Sequence, residues 1–105
     1  MRRGEVWWAE LPLPIGRRPV VLLSRDVAYR VRTSITVAII TRVARNIPVE
    51  VSLGPEDGTP QQCVANLDDI LTIPKARLTE RVTVLSPQKV TAVARAVIFA
   101  LDLKV

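Results

Sequence analysis

Short β-branched and aliphatic runs, broken by Pro, Gly and charged residues, fill the first two thirds of the chain. Glu5-Val6-Trp7-Trp8-Ala9-Glu10-Leu11 is rich in strand formers and predicts a first strand. Neighbouring strand positions face opposite ways, so Trp7 and Trp8 are expected on different faces. Pro12-Leu13-Pro14-Ile15-Gly16 breaks the run. Pro19-Val20-Val21-Leu22-Leu23-Ser24 is continuously apolar and reads as a strand buried on both faces. Asp26 to Arg32 suggests a short helical turn. Ser34-Ile35-Thr36-Val37-Ala38-Ile39-Ile40-Thr41 predicts another strand, with Val37, Ile39 and Thr41 on one face and Thr36, Ala38 and Ile40 on the other.

Pro48-Val49-Glu50-Val51-Ser52-Leu53 alternates and predicts a half-buried strand, followed by the turn-rich loop Gly54 to Pro60. Cys63 to Leu67 and Ile70 to Ile73 read as two further strands. Arg77 to Thr79 and Val82 to Val84 read as short edges. After Ser86, a good N-cap, and Pro87, suited to a first helical turn, the period changes. Val90, Val93, Ala94, Val97 and Leu101 then fall on one helical stripe. The expected class is mainly β, a small barrel closed by a C-terminal helix. There is no internal repeat or linker, and 105 residues point to one domain spanning residues 1–105.

Composition adds chemistry to this outline. The net charge is +5, unevenly placed. Residues 1–45 carry nine arginines against three acids, and residues 46–105 carry six bases against seven acids. The Arg fork suits phosphate, so the basic half points to a polyanionic partner. The chain has no histidine. That removes the usual base of Ser-His-Asp and Cys-His systems, the two-histidine route to RNA cleavage, and Cys/His zinc sites. Four scattered glycines make no phosphate-cradling loop. Asp68-Asp69 are adjacent strand positions and are not expected to hold a metal, so neither metal nor cofactor is expected. The lone Cys63 excludes an internal disulfide and fits a reducing cytoplasm. It reads as a small buried apolar residue. No N-terminal apolar run resembles a secretion signal, and no apolar stretch is long enough to span a bilayer. What remains is Arg, hydroxyls and amides, which suffice for phosphodiester chemistry when RNA supplies its own 2′-hydroxyl as nucleophile.

Four segments, in order, resemble one family. Arg3-Gly4-Glu5-Val6-Trp7-Trp8-Ala9-Glu10-Leu11 resembles the opening strand of MazF/PemK toxins. Arg18-Pro19-Val20-Val21-Leu22-Leu23-Ser24-Arg25-Asp26 is similar to the family's Arg-Pro strand, and Ile35 to Thr41 to its third strand ending in Thr or Ser. Asp69 to Leu78 and the terminal helix are similar to its late segments. The resemblance implies an SH3-like barrel, a homodimer, and a metal-independent, sequence-selective endoribonuclease held in check by a cognate antitoxin. It implies cleavage to 2′,3′-cyclic phosphate and 5′-hydroxyl ends.

By the same resemblance, Arg18 and Thr41 are the expected catalytic residues. Arg18 is permanently protonated, so stabilising the transition state is its easier role. Arg17, Arg25 and Arg42 are candidates for RNA phosphates or bases, and Asp69 for a base edge. The Pro12–Arg17 loop is shorter than in many relatives and has no acid, which leaves messenger and transfer RNA both open as substrates. A second reading on the same fold is a non-catalytic toxin of the CcdB type, which binds gyrase. A third is an RNA-binding module without cleavage. Arg18, Thr41 and the basic N-terminal half favour the ribonuclease.

Overall fold

The computed structural model describes residues 1–105. Six strands, β1 (Glu5–Glu10), β2 (Arg17–Leu22), β3 (Ser34–Thr41), β4 (Glu50–Leu53), β5 (Cys63–Pro74) and β6 (Leu78–Val84), form one sheet in the order β4-β5-β3-β2-β1-β6. All neighbours pair antiparallel. A one-turn helix α1 (Ala28–Val31) lies between β2 and β3, and α2 (Pro87–Ala100) follows β6. No helix is long and apolar enough to cross a membrane.

The expected barrel is a curled half-barrel, because the end strands β4 and β6 do not pair with each other. Side chains bridge the seam instead. Thr83 of β6 donates its hydroxyl to the Asp57 carbonyl, 2.9 Å away, in the turn after β4. Lys89 of α2 donates to the Ser52 carbonyl of β4 and lies 3.8 Å from the Asp57 carboxylate.

The sheet buries side chains on both faces. One cluster joins Val6, Val21, Ala38, Ile40, Val51, Leu53 and Leu67 to Val93 and Ala96 of α2. The other joins Ala9, Val20, Leu22, Ile35 and Val37 to Tyr29 of α1. β2 and β3 thus feed both clusters by alternation, which is why their paired stretches, Val20–Leu22 and Val37–Ile39, are apolar at every position. Leu22 is fully buried in the second cluster. Leu22→Ala is expected to lower unfolding stability by about 3 kcal/mol, read as a urea midpoint shift with unchanged slope.

Three expectations are corrected. Cys63–Leu67 and Ile70–Ile73 belong to one strand, β5. Its pairing with β3 jumps from Ile39↔Asn66 to Ala38↔Ile70, so Leu67, Asp68 and Asp69 bulge out of register. The bulge carries the polar residues that interrupted the sequence pattern. The edges at Arg77–Thr79 and Val82–Val84 are likewise one strand, β6. On α2, Leu101 lies past the helix and is 57% exposed, and Ala96 is buried where Ala94 was expected. Ser86 caps the helix as expected, its hydroxyl accepting from the Lys89 N–H at 3.2 Å.

Candidate active site

β1 and β2 form a hairpin, with Glu10 opposite Arg17, Ala9 opposite Arg18 and Trp8 opposite Pro19. β2 pairs β3 through Val20↔Ile39, Val21↔Ala38 and Leu22↔Val37. Pro19 has no N–H to extend this ladder. Continued two residues, the same register sets Arg18 opposite Thr41. Residues separated by 23 positions in sequence thereby become cross-strand neighbours on one face.

Both border a cleft of about 340 Å³. Trp8, Arg17, Pro19, Ile40 and Arg42 form one part of its wall. Thr59, Pro60, Gln61, Cys63, Val6 and Val82 complete it. Alternation turns Arg17, Pro19 and Ile40 to one face of the sheet and Arg18 and Thr41 to the other, and Arg42 follows just past the end of β3. The candidate pair therefore flanks the cleft at the strand ends, and three arginines, Arg17, Arg18 and Arg42, line it.

Each side chain has spare hydrogen-bonding capacity. Arg18 donates its Nε–H to the Ile15 carbonyl at 3.4 Å and belongs to no ion pair, so its terminal nitrogens are available. Thr41 Oγ1 accepts from the Val43 N–H at 3.3 Å, which leaves the hydroxyl proton to donate. Arg42 makes a long contact, 3.5 Å, to Gln61 Oε1. Arg17 pairs with Glu10 at 3.3 Å. The segment after Thr41 is held by Glu50, whose Oε1 accepts from the Arg45 and Asn46 N–H groups, both at 2.9 Å. The Arg45 N–H bond is the main cause of a lowered Glu50 pKa.

Of the residues singled out in the sequence, Arg17, Arg18, Thr41 and Arg42 meet at the cleft. Arg25 and Asp69 do not line it. Arg25 is exposed between β2 and α1, and Asp69 sits on the β5 bulge, its carboxylate accepting from Asn66 Nδ2 at 3.3 Å. The two tryptophans part as expected, Trp7 packing against the second cluster and Trp8 facing the cleft. Thr59, Pro60 and Gln61 were missed, because a polar loop has no periodicity to mark one side as a wall.

Cys63 lines the cleft and is 8% exposed, and burial pushes its thiol pKa up, against a weaker opposing pull from Thr59. A raised pKa keeps the thiol neutral further into the alkaline range, so the reactive thiolate is scarce. The folded protein is expected to resist DTNB at pH 8 and to react fully once unfolded in urea.

Comparison with known proteins sets this geometry in context. Residues 2–101 match the family described as PemK-like, MazF-like toxin of type II toxin–antitoxin system. The chain is 43% identical over 91 residues to a probable endoribonuclease MazF2 of Mycobacterium tuberculosis, covering 85% of this chain and 86% of the relative. It is 41% identical over 102 residues to a probable endoribonuclease MazF5 of the same species, covering 95% and 92%. Among solved structures, it resembles the M. tuberculosis toxin MazF-mt6, with a TM-score of 0.88, 32% identity and coverage of 96% and 99%. It also resembles a mycobacterial endoribonuclease in complex with its cognate antitoxin, with a TM-score of 0.87, 26% identity and coverage of 100% and 98%.

Proposed function

Because this chain belongs to the family of PemK-like, MazF-like toxins of type II toxin–antitoxin systems, we propose that it is an endoribonuclease cutting RNA over the Arg18–Thr41 pair. The observation that supports this reading is that Arg18, which is in no ion pair, and Thr41 border one arginine-lined cleft, with the β2–β3 register, continued two residues, bringing them opposite each other.

A scissile phosphate placed between them accepts from the Arg18 fork and from the Thr41 hydroxyl. The RNA 2′-oxygen attacks phosphorus, and the bond to the 5′-oxygen breaks. The 2′-hydroxyl proton leaves to solvent, and the departing 5′-oxygen takes one up. The ends are a 2′,3′-cyclic phosphate and a 5′-hydroxyl. Charge builds on the non-bridging oxygens during the step, and fixed donors aimed there lower the barrier. The guanidinium stays protonated throughout, so its contribution is electrostatic. Arg17 and Arg42 extend the positive surface to neighbouring phosphates, and Arg25 and Asp69 serve RNA at greater distance from the cut.

The proposal includes a homodimer, since two-fold pairing is the commonest way a small domain covers apolar surface such as Phe99, which is 60% exposed. It also includes an antitoxin that occupies the basic cleft, and a cytoplasmic setting. The experiment is cleavage of end-labelled cellular RNA in EDTA. Discrete cuts ending in 2′,3′-cyclic phosphate support the reading. Folded protein that cuts no RNA refutes it and turns attention to binding without cleavage.

A further inference from the structure

The cleft wall already carries a stacked cation. The Arg17 Cζ lies 4.4 Å from the centroid of the Trp8 ring. Its Nε is 3.3 Å from Glu10 Oε1, and both side chains of that pair are about half exposed, 50% and 51%. The β1–β2 register explains the grouping. Glu10 faces Arg17 and Trp8 faces Pro19, so all four share the cleft side of the hairpin.

We propose that the cleft is a nucleobase subsite, in which one RNA base stacks on Trp8 in place of the Arg17 guanidinium, and that Glu10 is the latch holding Arg17 there beforehand. The proposal rests on RNA being the ligand and extends that reading to a named subsite and a specificity residue.

The lining matches a flat aromatic ligand better than a sugar or phosphate. The Trp8 ring, Pro19, Pro60 and Val82 are apolar walls. A volume of about 340 Å³ is at the small end of ligand pockets and suits one base, not a stretch of chain. Gln61 stands in the same wall, and its side chain makes one hydrogen bond, the long one accepted from Arg42. Its amide is left both donor and acceptor capacity toward a base edge.

The exchange is also chemically balanced. An exposed ion pair and an exposed cation–π contact are weak, so Arg17 is easily moved. RNA offers each displaced group a better partner. The base takes the ring face, an RNA phosphate takes the guanidinium fork, and Glu10 returns to water. An acid beside a polyanion repels it, so removing the Glu10 charge is expected to strengthen binding.

Tryptophan fluorescence tests this independently of cleavage, because the chain has two tryptophans and only Trp8 faces the cleft. The probe is a short 2′-O-methyl RNA of mixed sequence, which cannot be cut, beside the same backbone without bases. In Trp7→Phe protein, the base-bearing probe is expected to quench Trp8 saturably and the abasic probe to bind without quenching. Should Trp7→Phe fail to fold, Trp8→Phe gives the converse, and its remaining emission is expected not to respond. Glu10→Gln is expected to tighten binding about 3-fold. Trp8→Ala is expected to weaken it about 10-fold by anisotropy with the salt dependence unchanged. Equal quenching by both probes, binding without quenching, or no gain in Glu10→Gln overturns the subsite. Arg18→Ala separates the two readings, because it is expected to keep the Trp8 response while losing cleavage. Quenching by wild type that never cuts RNA leaves the subsite standing and removes the nuclease. No binding of either probe overturns the subsite, while the nuclease reading stands or falls on the cleavage assay.

Discussion

Arg18→Ala is expected to lower RNA cleavage by about a thousandfold while leaving the fold intact, since removing one fixed donor to a developing charge costs on that order. The side chain is exposed and its one hydrogen bond is the long one to the Ile15 carbonyl, so little stability is at stake. Arg18→Lys is expected to recover only a small part of the loss, because an ammonium cannot present the planar fork. Thr41→Ala is expected to cost less, about 10- to 100-fold, since a neutral hydroxyl is a weaker donor than a guanidinium. Thr41→Ser keeps the hydroxyl and is expected to remain active. The measurement is single-turnover cleavage of one labelled RNA at saturating enzyme, with far-ultraviolet circular dichroism as the control for folding. Wild-type rates in Arg18→Ala would remove Arg18 from the chemistry.

The second large effect is structural. Gly58→Ala is expected to lower unfolding stability by about 2–4 kcal/mol, through a strained backbone and a forced clash. Gly58 has φ +93°, a left-handed conformation that a side chain disfavours. An added Cβ also lies 2.7 Å from Thr83 Cβ, which is no flexible tip that can swing away. The Thr83 hydroxyl bonds the Asp57 carbonyl, so the clash falls on the contact that joins β6 to the turn after β4. Thr59, Pro60 and Gln61 follow directly and form one wall of the cleft. RNA cleavage is therefore expected to fall with stability, in contrast to Arg18→Ala. Urea unfolding followed by tryptophan emission checks the magnitude, and an unchanged midpoint would show that Thr83 gives way at no cost.

Much of the fold was legible residue by residue. The β-branched run Ser34–Thr41 is β3 from end to end, because six β-branched residues in eight allow no competing period. The Ser86-Pro87 pair marked the start of α2 through local capping chemistry. The β2 boundaries shifted to Arg17–Leu22 because pairing with β1 recruits both arginines into the ladder. The bulge in β5 was not legible, since whether Asp68 and Asp69 end a strand or loop out of one depends on where β3 resumes pairing.

The candidate site divides in the same way. Sequence alone determined the residue types available for chemistry: nine arginines in the first 45 residues, a strand-ending Thr41, and no histidine. The resemblance to MazF/PemK toxins singles out Arg18 and Thr41. Only the tertiary structure brings both to one cleft, because that depends on the β2–β3 register, a long-range pairing that no local propensity encodes. It alone showed Arg17 seated on Trp8 and paired with Glu10, and it alone brought Gln61 to the same cleft. Charge and hydropathy are properties of each residue where it stands in the chain. A cleft is a property of strands that meet, and curling the sheet is what makes residues from β1, β2, β3 and the loop before β5 share one wall.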